Sequence, residues 1–80
     1  MTYAEIHEKV SAVFRKVLDQ PGLVIEDATT ADDVDGWDSL THVELIVAVE
    51  RAFGVRFTTK EVKVLSNVGD LVRLVEKRAP

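Results

Sequence analysis

The run from Ser39 to Phe53, "SLTHVELIVAVERAF", constrains the fold more than any other stretch. Leu40, Val43, Ile46, Val47 and Phe53 recur at helical steps, and Leu45, Val49 and Ala52 widen the stripe. Its Val and Ile content would suit a strand, but the run is too long for one and does not alternate. It predicts a helix that starts with Asp38 or Ser39 as its cap, since either side chain can accept from first-turn amides, and stops at Gly54. So wide a stripe predicts a central helix packed on more than one side.

The rest of the chain supports an all-helical reading. Thr2 and Glu5 have capping-box spacing, and Ile6, Val10, Val13, Phe14, Val17 and Leu18 follow at steps of three or four, which predicts a first helix ending before Pro21-Gly22. Thr58 and Glu61 repeat the spacing ahead of a short segment, Thr59 to Leu65. Asn67 caps a last helix whose apolar face is Val68, Leu71, Val72 and Val75, with Lys77 and Arg78 at its negative end. Between the first two helices, residues 21–36 hold turn residues, acids and scattered apolar positions such as Leu23, Val24, Ile25 and Val34, the pattern of a long ordered loop. The expected architecture is a four-helix bundle, three main helices and one short, with a long first loop, in one domain over residues 1–80.

Composition limits what such a bundle can do. Eighty residues support only a modest core, which leaves little room for a deep, water-excluding active site. No cysteine is present, so disulfides, thiolate metal sites and cysteine nucleophiles drop out. The longest apolar run is far short of the ~20 residues a membrane span needs, and the first ten residues lack a signal-peptide pattern. A soluble, cytoplasmic monomer is expected. No Lys or Arg occurs from Val17 to Glu50, a span that carries Asp19, Glu26, Asp27, Asp32, Asp33, Asp35, Asp38, Glu44 and Glu50. Such a field repels nucleic acid and attracts basic protein surfaces.

Three chemistries compete for "ADDVDGWDSL". As a calcium loop with Gly36 at the sixth position, Asp33 and Asp35 fall at the third and fifth. Ala31 and His42 then occupy the first and twelfth, where an aspartate and a glutamate are needed, so the loop fails as a metal site. As a nucleophile, Ser39 would need His42 as its base, yet "WDSLT" lacks the glycines of a nucleophile elbow, and the other histidine, His7, lies on the first helix. His42 reads as a surface helix residue, and Trp37 as a loop side chain partly packed beside the second helix. As an attachment point, Ser39 needs no catalytic neighbours, and a phosphate ester at a helix N-terminus is stabilised by the dipole. An ordinary N-cap serine has the same local signature.

Resemblance separates these readings. "GWDSLTHVELIVAVERAFGVRF", Gly36 to Phe57, resembles the signature region of the acyl carrier protein and peptidyl carrier protein superfamily, with Asp38, Ser39 and Leu40 matching its Asp-Ser-Leu motif. The resemblance implies a non-catalytic carrier whose Ser39 bears 4'-phosphopantetheine, donated by coenzyme A through a phosphopantetheinyl transferase and Mg²⁺. It also implies acyl- or aminoacyl-loading and acyl-transferring enzymes as partners. Asp38, Glu44 and Glu50 are then the docking acids, and Leu40 and Val43 the apolar contacts near the arm. Thr41 and Arg51 stand where carriers of fatty-acid synthesis usually have acids, and Trp37 replaces a small residue. These departures resemble stand-alone carriers of specialised or secondary-metabolite pathways. A D-alanyl or other aminoacyl carrier would use the same serine, and an unmodified helical interaction module would keep the fold without the chemistry.

Overall fold

Each helix begins where a short polar side chain can take up amides that have no partner inside the helix. In the computed structural model, which describes residues 1–79, Thr2 Oγ1 accepts from the Glu5 amide at 3.2 Å and Glu5 Oε1 from the Thr2 amide at 2.9 Å. This box opens α1, Tyr3–Val17. Asp38 caps α2, Ser39–Phe53, which Gly54 ends in the left-handed region at φ 67°. Thr58 and Glu61 form the second box, at the start of α3, Thr59–Lys63, one turn that stops short of the expected Leu65. Asn67 Oδ1 accepts from the Asp70 amide at 2.8 Å and opens α4, Val68–Arg78. A 3-10 turn spans Ala31–Asp33, and no strand occurs among the described residues. The fold is the expected all-α bundle with its long first loop. The expected domain range reaches Pro80, which lies outside the described residues.

The central helix is α1, not α2. Ile6, Val10 and Phe14 are buried and pack α1 between α2 and α4. Helix α2 gives the core Leu45, Ile46 and Val49, while α4 gives Val68, Leu71, Val72 and Val75. The expected core positions Leu40, Val43 and Val47 are 71%, 59% and 39% exposed. The stripe misled because it merges two faces. At 3.6 residues per turn, Leu45 and Val49 point away from the line through Leu40, Val43 and Val47.

The loop between α1 and α2 is fastened at both flanks. Ile25 and Val34 are buried, Arg15 Nε donates to the Leu23 carbonyl at 2.8 Å, and Gln20 Nε2 donates to the Asp35 carbonyl at 2.7 Å. Toward α4, the free first-turn amides of Val68 and Gly69 donate to the carbonyls of Thr29 and Asp27, both at 2.9 Å. Gly69 permits this approach, because a Cβ there would lie 3.1 Å from both Cβ and O of Asp27. The loop therefore delivers Gly36, Trp37 and Asp38 to a fixed point at the mouth of α2.

Candidate functional site

The site is built from the turn that starts α2. Gly36 sits at φ 85°, the left-handed region that favours glycine, and its carbonyl accepts from Thr41 Oγ1 at 2.6 Å. Trp37 then turns inward, its ring edge-on to Phe14 with centroids 5.0 Å apart, and its Nε1 donates to His42 Nδ1 at 3.1 Å. The Trp37 side chain thus pins the first turn of α2 onto α1, which extends its expected packing beside the second helix. His42 is drawn half into the structure by this bond and is not the surface residue expected.

Asp38, rather than Ser39, is the cap. Its Oδ1 accepts from the amides of Leu40 and Thr41, both at 3.0 Å, and its own amide donates to Thr41 Oγ1 at 2.8 Å. The Thr41 amide above all, seconded by that of Leu40, holds the Asp38 carboxyl below the usual aspartate range. Ser39 is consequently the first residue of α2, exposed, with a hydroxyl that makes no hydrogen bond among the described residues. It lies at the positive end of the helix dipole, where an attached phosphate is favoured.

Neither rival chemistry assembles around it. His42 accepts from Trp37 at Nδ1, so the neutral ring carries its proton on Nε2 and has no lone pair left for the serine. Asp33 Oδ2 accepts from the Thr30 amide at 2.9 Å, and Asp38 is occupied by its helix. Among the described residues, no three His, Asp or Glu side chains converge to hold a metal ion.

The residues expected around Ser39 divide in two. Leu40, Val43 and Glu44 are exposed on the outward face of α2, and Asp38 is exposed at its start. Glu50 is half-buried instead, its Oε2 accepting from the Phe57 amide at 2.8 Å, which ties the chain beyond α2 back onto the helix. Sequence reasoning missed Val47, which continues the apolar line from Leu40 and Val43. A strict 100° step from Leu40 would have placed it there. No helix among the described residues is long and apolar enough to cross a membrane.

The arrangement has close counterparts. Residues 8–75 match the phosphopantetheine attachment site family. The chain is 37% identical over 79 residues to the acyl carrier protein of Thermosynechococcus vestitus, covering 98% of this chain and 96% of that one. It is 36% identical over 75 residues to the acyl carrier protein of Thermotoga maritima, covering 92% and 91%. The solution structure of holo acyl carrier protein from Geobacter metallireducens superposes with a TM-score of 0.85 at 40% identity, covering 90% of this chain and 83% of that one.

Proposed function

The chain belongs to the acyl carrier protein family, whose members carry covalently attached 4'-phosphopantetheine, and from that membership we propose that Ser39 is its attachment point. The observation that carries this reading is the exposed, unbonded hydroxyl of Ser39 at the first position of α2, left free because Asp38 does the capping. The residues fit the group: the positive end of the helix dipole favours its phosphate, and Leu40 and Val43 offer apolar surface beside it. When bound, the arm supplies a terminal thiol that carries an acyl group as a thioester. The chain itself orients and presents; the bond-making groups belong to its partners.

Proteins of this family work with modifying and acyl-handling enzymes. For this one the partners are a phosphopantetheinyl transferase and enzymes that load and transfer acyl groups, met in the cytoplasm. Asp38, Leu40, Val43 and Glu44 form the docking face, with Glu50 contributing what charge its bond to Phe57 leaves free. Modest, screened charge pairs speed encounter and still allow release. Thr41, whose hydroxyl is used within the cap, and Arg51, exposed on the docking helix, favour a specialised pathway over standard fatty-acid synthesis.

Incubation with coenzyme A, Mg²⁺ and a broad-specificity phosphopantetheinyl transferase, read by intact mass, tests the proposal. A gain of one phosphopantetheine in the native protein and none in Ser39→Ala is expected. No gain, or an equal gain in Ser39→Ala, would sink it. Offering the armed protein to acyl-transferring and amino-acid-activating enzymes then separates acyl from aminoacyl cargo.

A further inference from the structure

The outward face of α2 changes sign along its length. At its start lie Asp35 and Asp38, in a span with no cation from Val17 to Glu50. At its end lie Arg51 and Arg56, with Lys16 across from them on α1, and none of these three takes part in an ion pair among the described residues. Lys16 and Arg51 line a groove of about 570 Å³ between α1 and α2, with Glu44 beside them. Arg51 and Arg56 line a second recess of about 470 Å³, together with Val47, Glu50, Gly54 and Val55. The acid within that recess, Glu50, is bound to the Phe57 amide. Gly54 leaves the recess open, since no atom lies within 4 Å of where its Cβ would stand. Leu40, Val43 and Val47 run between the two charged ends, with Leu40 and Arg51 separated by roughly 16 Å along the axis.

We infer that the enzyme surface docking here presents carboxylates opposite Arg51 and Arg56 and keeps its basic groups to the end beside Ser39. The inference rests on the carrier reading and gives the partner its chemistry. A uniformly basic patch laid along α2 would meet Arg51 and Arg56 head-on, and like charges across an interface are strongly unfavourable. Arginine presents a planar fork that takes a carboxylate through two parallel bonds, and the apolar walls of Val47 and Val55 shield such a pair from water. Opposite signs at the two ends also fix which way a partner lies along α2, which sets where an arm on Ser39 can reach.

The test uses a malonyl-transferring enzyme of fatty-acid synthesis with a basic docking patch, and its variant in which the basic residues facing positions 51 and 56 are changed to glutamate. Each is assayed for kcat/KM against the armed native protein and armed Arg51→Glu/Arg56→Glu. The native protein should prefer the charge-reversed enzyme by about tenfold and the double variant the original enzyme by a similar factor, the usual scale of electrostatic steering. The crossover should vanish in molar salt, where the Debye length is about 3 Å. Arg51→Gln/Arg56→Gln, which keeps the helix without the charge, should discriminate little between the two enzymes. A native protein that prefers the basic patch, or four equal rates, overturns the inference. Intact mass is read first: failure to gain the arm defeats the carrier reading, whereas armed proteins without a crossover defeat only this one.

Discussion

The Ser39 hydroxyl is free because Asp38 takes up the first-turn amides. In most helix starts the serine would be the cap, and changing it would cost about 1 kcal/mol. Here the two Asp38 bonds hold the amides, and the Ser39 hydroxyl holds nothing. Ser39→Ala should therefore leave the free energy of urea unfolding within about 0.5 kcal/mol of native, as for an ordinary surface change, while abolishing the mass gain. A loss well beyond that would give Ser39 a structural bond of its own. Trp37 carries the opposite burden. Trp37→Ala removes its edge contact with Phe14 and its bond to His42, and a cost of about 2 kcal/mol is expected for so half-buried a ring. Trp37→Phe, which keeps the packing and loses the bond, should recover about half of it. The Asp-Ser-Leu motif was legible because it is contiguous. The Trp37–His42 bond was not, since it joins two side chains across the extended cap residue Asp38, and their rotamers leave no mark in the residue spacing.

Among the elements, starts were easier to read than faces. Thr2 with Glu5, Thr58 with Glu61, and Asn67 are local pairs of side chain and amide, and each helix begins where they predict. The face of α2 was misread, because a sequence does not distinguish apolar residues that enter the core from apolar residues left exposed. Val64, 70% exposed just after α3, is another apolar residue left outside. At α4 the hidden element is backbone: the carbonyls of Asp27 and Thr29 on the amides of Gly69 and Val68 leave no side-chain trace apart from the glycine. Gly69→Ala gains about 1 kcal/mol in helix propensity. It also forces a methyl against Asp27 at 3.1 Å, an overpacking cost of 1–3 kcal/mol that falls on backbone unable to swing aside. A net loss of up to about 2 kcal/mol in urea unfolding is expected, with faster amide exchange at residues 68 and 69. A more stable Gly69→Ala would show that the loop yields.

At the scale of the whole molecule, the same helix starts make stability depend on acid. Glu5, Asp38, Glu61 and Asp70 all have carboxyls held below their usual values, chiefly by backbone amides of Thr2, Thr41, Thr58 and Ser66 respectively. Arg73 assists Asp70, and Arg78 assists Glu61. A carboxyl depressed on folding is charged in the native state at a pH where the unfolded chain has begun to bind a proton. Its contribution is complete above the ordinary values of 3.8 for aspartate and 4.5 for glutamate, and fades as pH falls through the depressed ones. The urea midpoint should accordingly hold level near neutrality and fall once pH drops below about 4.5. A double variant, Asp38→Asn with Glu61→Gln, separates this cause from general charge repulsion. Asparagine caps a helix about as well as aspartate and glutamine can fill the box, so the neutral-pH midpoint should fall only by what the two charges and the Arg78 pair add. Neither amide titrates, so the acid-side fall should be shallower than in the native chain. A fall of unchanged steepness would mean that the caps at α2 and α3 do not set the acid limit of the fold.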